Sequence, residues 1–388
     1  MIHDSGGPRR VKGSMEKLGV GVWDPEKVVL VSDHFAPCTD AESANILKLT
    51  REWAIEQNIE NFYDQKGICH VVVPEKGHLS PGMFAVGGDS HSTTGGAFGV
   101  CMIGVGSSDL AGVLATGEIW VRVPESVRIE LAGILRLGVT AKDIMLNLCG
   151  NFGMMGFNYE AIEYVGPVID EMLIQERMTL TNMVAELGAK TGIIAPDCIT
   201  KNALKNWGIT DVNIEEWQSD QDATFARTII LNCSSLEPQV AAPSTPENSG
   251  PISGYSGIKL NQAYIGACTG AKFDDLRMAA AVLKGKKISS DMRFFVAPAS
   301  INIKKRAEKE GLINIFIEAG AEILPIGCGG CIGLGKAKLG EEAIGISSTN
   351  RNFVGRAGHN SSRLYLASPY TVAASAITGI ITDPREFL

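Results

Sequence analysis

Short apolar runs alternate with amphipathic stretches along the whole chain. Val28-Val29-Leu30-Val31-Ser32 predicts a buried strand that ends at Asp33-His34. From Ser43 to Glu56, Ile46, Leu49 and Trp53 fall on one face among polar neighbours, which predicts a helix. Gly67 to Pro74 reads as a second strand. Phe84-Ala85-Val86-Gly87-Gly88 then leads into a polar, glycine-rich loop, Asp89-Ser90-His91-Ser92-Thr93-Thr94-Gly95-Gly96. A helix follows from about Ser107 to Trp120, with Ser107, Ser108 and Asp109 as candidate caps. Strand, polar loop, helix is the grammar of α/β folds, which place ligands at the carboxyl ends of strands.

The pattern restarts near Val123 to Ser126. Val127 to Leu131 alternates like a strand, and Thr140 caps a predicted helix to Leu148. Another helix is expected around Met178 to Leu187. Pro238, Pro243, Pro246 and Pro251, mixed with serines and glycines, mark the stretch 238–254 as a linker. Beyond it come a strand from Ala263 towards Cys268, a helix from Phe273 to Leu283, a strand from Phe294 to Ala297, a helix from Ile303 to Glu310 and a short strand from Ile323 to Ile326. Three α/β units are therefore expected, over residues 1–124, 125–238 and 239–388.

The chain has 388 residues, a formal net charge of −8 and nine cysteines. The acidic balance argues against nucleic acid as the main partner, because phosphate binding needs a basic face. No apolar run reaches the length of a membrane span. The cysteine density is too low for a disulfide scaffold, which points to a reducing, cytoplasmic setting.

Three cysteines stand apart. Cys268 exits a strand in Ile265-Gly266-Ala267-Cys268-Thr269-Gly270, and Cys328 and Cys331 form a Cys-x-x-Cys among glycines. All three fall on strand-exit loops of one unit. Together they suggest an iron–sulfur cluster held by three thiolates, with one iron left open for Lewis-acid chemistry. A Cys-x-x-Cys alone also fits a zinc half-site or a redox pair. Cys38, Cys69, Cys101, Cys149, Cys198 and Cys233 read as small buried hydrophobes.

The residues resemble the aconitase superfamily, most closely its branch of 3-isopropylmalate dehydratase (isopropylmalate isomerase) large subunits. The resemblance lies in Ser32-Asp33-His34, Gly67-Ile68-Cys69-His70, Gly88-Asp89-Ser90-His91-Ser92-Thr93, Ala161-Ile162-Glu163-Tyr164, Gly266-Ala267-Cys268-Thr269, Cys328-Gly329-Gly330-Cys331 and Ser348-Thr349-Asn350-Arg351-Asn352-Phe353-Val354-Gly355-Arg356, in that order. It implies three α/β domains around a 4Fe–4S cluster bound by Cys268, Cys328 and Cys331. The implied chemistry is dehydration of a small 2-hydroxy di- or tricarboxylic acid and rehydration at the neighbouring carbon. For this branch that means interconversion of 2- and 3-isopropylmalate in leucine biosynthesis. Homoaconitase, methylmalate/citraconate and 2,3-dimethylmalate dehydratase activities are the related readings, and a non-catalytic or RNA-binding relative is the reading from another class.

The same resemblance implies catalytic pairs Asp33–His34, His70–Asp89 and His91–Glu163, with His34 as the favoured acid. Ser90, Asn350, Arg351 and Arg356 would meet the substrate. A carboxylate beside a histidine raises its pKa and fixes its tautomer, and arginine suits bidentate carboxylate binding. His3, His78 and His359 are expected to be structural or exposed. Two departures stand out. Gly270 replaces the family's asparagine after Cys-Thr, and the first unit is expected to be N-terminally shortened. A separate small subunit is expected to supply the swivelling domain and its serine base.

Overall fold

Parallel strands supply the frame on which the polar residues stand. The computed structural model describes residues 1–388 and contains four sheets. Ile2–His3, Leu30–Ser32 and Phe62–Asp64 form a parallel sheet in that order, and Phe84–Gly87 pairs in parallel with Cys101–Gly104. A four-stranded parallel sheet runs Thr191–Ile193, Ala161–Val165, Ser126–Ala132, Arg227–Asn232. The largest sheet runs Ser249–Pro251, Gln239–Ala241, Arg363–Ala367, Ile344–Ser347, Gln262–Ile265, Arg293–Val296, Glu322–Ile323. Its last five strands are parallel and its first two form an antiparallel ribbon. The architecture is α/β, as the alternation of runs predicts.

Apolar packing joins the first and last thirds of the chain. One core of 46 buried residues runs from Val31 and Phe98 through Met178 to Ile265, Phe294 and Val372. A second core of 28 residues surrounds Ile129, Tyr164 and Leu180. Helices Phe273–Leu283 and Pro369–Thr378 pack on each other beside strand Gln262–Ile265.

Three expectations change. Gly67 to Pro74 is not a strand but leads into helix Cys69–Glu75. Every residue of that helix is buried, so its apolar run carries no period that separates strand from helix. The proline-rich stretch 238–254 is no free linker, because it forms the antiparallel ribbon. Pro251 sits on the outermost strand, where a missing N–H costs nothing in the ladder. Asp89 to Gly96 is an Asp89-capped run of 3-10 turns, Ser90–Phe98, rather than an open loop.

That run locks the first third of the chain against the second. It packs on helix Ile174–Met183 and strand Thr191–Ile193. Gly96 O accepts the Ile194 N–H at 2.9 Å. A Cβ at Gly96 would lie 1.6 Å from Gly192 O, so only glycine permits this approach.

Candidate active site

The site stands at the carboxyl ends of parallel strands from three sheets. Asp33 and His34 follow Leu30–Ser32, and Asp89 follows Phe84–Gly87. In the large sheet, Cys268 follows Gln262–Ile265, Asn350 follows Ile344–Ser347, and Cys328 follows Glu322–Ile323. These ends converge on one cavity of about 490 Å³. His34, His70, Asp89, Ser90, His91, Asn350, Arg351, Arg356 and all three cysteines line it. A mainly apolar cavity of about 510 Å³ under Trp23 and Phe84 holds none of them.

Hydrogen bonds hold the cysteine turns in place. Cys328 N–H donates to Asp33 O at 2.9 Å, which ties the Cys-x-x-Cys turn to the first sheet. Gly327 permits this contact, because its φ is +141° and a Cβ there would lie 2.1 Å from Ala36 O. Ala267 takes a left-handed φ of +67° to present Cys268, a strain that the surrounding structure must hold. Asn182 Nδ2 donates to Cys268 Sγ at 3.1 Å, and Arg356 Nη2 approaches Cys331 Sγ at 3.9 Å.

The departure at Gly270 also has a steric basis. A Cβ there would lie 2.0 Å from Ser348 Oγ and 2.6 Å from Ser348 O. Ser348 uses its hydroxyl to accept from Gly266 N at 3.2 Å, so it braces the Cys268 turn from inside.

The carboxylate–histidine pairs follow. His34 Nδ1 donates to Asp33 Oδ1 at 2.7 Å, and Asp33 Oδ2 accepts the Cys69 N–H at 2.7 Å. Burial opposes charge on His34. The Cys328 sulfur and the Asp33 carboxylate outweigh it and hold the imidazole well above the usual histidine range. His70 Nε2 donates to Asp89 Oδ1 at 2.9 Å. Asp89 also accepts the His91 N–H at 2.8 Å, and its Oδ2 lies 3.7 Å from His34 Nε2. Burial works against ionisation of Asp89, but His70 and His91 hold it well below the carboxylate range.

The third expected pair is corrected. His91 Nε2 meets Glu186 Oε1 at 2.7 Å, and Arg351 Nε bonds both Glu186 oxygens at 3.0 and 3.1 Å. Glu163 is bonded instead to Arg128 Nε at 2.9 Å and Ser219 Oγ at 2.6 Å, outside the cavity. Strand alternation explains this placement. Ile162 and Tyr164 face the core, so Glu163 points the other way.

Sequence reasoning also missed Asn182, Glu186, His3 and Asp4. Asn182 and Glu186 lie one helical turn apart in an apolar stretch, and that polar pair was the available signal. His3 is neither exposed nor remote. It lines the cavity, stacks on His34 with 4.2 Å between ring centroids, and is lowered to about 4 by burial and the His34 charge. Asp4 accepts the N–H groups of His34 and Phe35 at 3.1 and 2.9 Å, and burial raises it to about 6. Among the six remaining cysteines, Cys69, Cys149 and Cys233 are buried as expected, whereas Cys101 is half-buried and Cys38 and Cys198 are exposed.

The sequence profile of the aconitase family (aconitate hydratase) matches residues 1–379. The chain belongs to the aconitase family. It is 46% identical over 390 residues to the 3-isopropylmalate dehydratase large subunit 1 of Methanopyrus kandleri, covering 100% of this chain and 93% of that protein. It is 44% identical to the probable methanogen homoaconitase large subunit of Methanosarcina mazei, covering 100% and 98%. It is 43% identical to the 3-isopropylmalate dehydratase large subunit of Heliobacterium modesticaldum, covering 100% and 92%. Family members bind a 4Fe–4S cluster, and the donor set here fits one. Three thiols converge with amide and guanidinium donors directed at sulfur. Burial pushes the Cys268 thiol up to about 12, a state that a bound metal reverses by holding the thiolate.

Proposed function

We propose that this chain is the large subunit of an iron–sulfur hydro-lyase that interconverts 2- and 3-isopropylmalate by dehydration and rehydration. The observation that carries the reading is the convergence of three cysteines, His34, Asp89, His91 and two arginines on one cavity. Cys268, Cys328 and Cys331 would hold a 4Fe–4S cluster, which supplies a Lewis-acid iron for the substrate hydroxyl when bound. His34, hydrogen-bonded to Asp33, gives a proton to the leaving hydroxyl. Asp33 fixes its tautomer, because Nδ1 must donate to the carboxylate. Asp89 holds His70 and His91 in place, and Glu186 does the same for His91 and Arg351. Arg351 and Arg356 bind substrate carboxylate, and Asn350 and Ser90 complete the polar wall. The three units are assigned as residues 1–124, 125–238 and 239–388.

The proton on the neighbouring carbon is taken by a base from a separate small subunit, in the cytoplasm. No helix is long and apolar enough to cross a membrane. A homoaconitase reading has its own support in the Methanosarcina mazei relative and in Arg10, a further guanidinium on the cavity wall. Methylmalate/citraconate and 2,3-dimethylmalate are the remaining substrates to test. Anaerobic co-expression with candidate small subunits, followed by a panel of these acids, tests the reading. Turnover of isopropylmalate above the tricarboxylic acids supports it. Turnover of homoaconitate alone, or of none, contradicts it.

A further inference from the structure

Lys142 is among the most deeply buried charged side chains, at 1% exposure. Its position is unfavourable in three respects. It is removed from water, which penalises an ammonium. It lies in the first turn of helix Ala141–Phe152, whose N-terminal dipole repels a cation. It also lies within the field of a second buried lysine, Lys272. Burial and Lys272 lower it to about 8, against the attraction of Cys268, Asp275 and Cys331.

Lys272 has its own counter-charge, because Asp275 Oδ2 lies 2.7 Å from its Nζ. Lys142 has no carboxylate within salt-bridge distance. Its Nζ donates only to two neutral oxygens, Thr269 Oγ1 at 3.0 Å and Thr349 O at 2.8 Å. Asp143, its neighbour in the chain, is turned to Thr140 and Gln239. Glu176, in the same small void, accepts the Ala141 N–H at 3.1 Å. A buried cation with neutral partners alone needs an anion nearby.

Both of its partners adjoin the metal-binding turns. Thr269 follows Cys268, and Thr349 precedes Asn350, which donates to Cys268 Sγ at 3.8 Å. Three thiolates and their cluster carry net negative charge, which is the compensation that this lysine lacks. We propose that Lys142 is a positioning residue whose buried ammonium holds the negative charge of the group ligated by Cys268, Cys328 and Cys331, and ties the Cys268 turn to the Thr349–Asn350 turn. This rests on the reading of the three cysteines as cluster ligands.

Lys142→Gln removes the charge and keeps a hydrogen-bond donor, whereas Lys142→Arg keeps the charge. Both variants and the wild-type chain are reconstituted anaerobically. The midpoint potential of each is read by redox titration, and the release of iron to a chelator is timed. The charge account expects K142Q to have a lower potential than wild type. It expects K142Q to lose iron on the order of tenfold faster, the change that about 1.4 kcal/mol of lost charge interaction produces. K142R stays close to wild type on both readouts. Equal potentials and rates for K142Q and wild type overturn the proposal, as does a K142R that falls as far as K142Q, since packing rather than charge would then be at work. A wild-type chain that takes up no cluster overturns the cluster reading and this proposal together, which separates the two failures.

Discussion

Replacing Glu186 should injure this protein far more than replacing Glu163, although the sequence pointed to Glu163. The Glu186 side chain is 0% exposed and makes three hydrogen bonds, one to His91 and two to Arg351. Burial works against its charge, but His91 and Arg351 keep it below the usual glutamate range. Glu186→Ala leaves an imidazole 7% exposed and a guanidinium 20% exposed without their shared acceptor. Breaking a buried ion pair from one side costs about 3–5 kcal/mol, and the partial exposure of Arg351 places this case near about 3 kcal/mol. Glu163 and Arg128 are 15% and 31% exposed, and such a pair contributes about 0–1 kcal/mol. Urea titration followed by circular dichroism reads the difference. With an m-value of about 3 kcal/mol per M, Glu186→Ala should lower the midpoint by about 1 M and Glu163→Ala by about 0.3 M or less. Equal shifts, or a larger one for Glu163→Ala, would refute the assignment of Glu186 as the partner of His91.

Three further outcomes follow from the same geometry. Arg177 is fully buried and bonds both Asp197 oxygens at 2.9 and 2.6 Å. Burial opposes ionisation of Asp197 but Arg177 outweighs it, so its folded pKa is depressed. The stabilisation is therefore present above the unfolded value of about 3.9 and lost as pH falls through the folded one. The stability gap between wild type and Asp197→Asn should narrow below about pH 4, and a gap that widens there contradicts the pairing. Gly96→Ala should destabilise by about 2–3 kcal/mol, because a backbone carbonyl lies where the methyl must go; thermal unfolding checks this, and a neutral result would mean that the Ser90–Phe98 run is not locked against strand Thr191–Ile193 there. Arg351→Ala should raise KM about ten- to a hundredfold while cluster content stays near wild type, and equal loss of both removes its assigned role in substrate binding.

What the sequence disclosed depended on how local the signal was. Strands such as Gln262–Ile265 and helices such as Phe273–Leu283 carry their own period and boundaries, so they lie where the pattern puts them. Cys268, Cys328 and Cys331 were legible because glycine-rich strand exits are unusual places for three cysteines. Helix Cys69–Glu75 was not legible, since a segment buried on all sides shows no amphipathic period. The His91 partner was misplaced for a related reason. Glu163 sits beside apolar residues in sequence, but strand alternation turns it away, whereas Glu186 is brought to His91 by a fold contact 95 positions distant. His3 was passed over because its meaning lies in the parallel pairing of Ile2–His3 with Leu30–Ser32, which sets it against His34.

Electron paramagnetic resonance on anaerobically reconstituted protein, before and after mild oxidation, tests the central claim most directly. Three cysteine ligands and an open corner predict the loss of a single iron, a 3Fe–4S signal, and its reversal by added Fe(II). A chain that takes up no cluster, or a cluster that never releases its corner iron, would contradict the account.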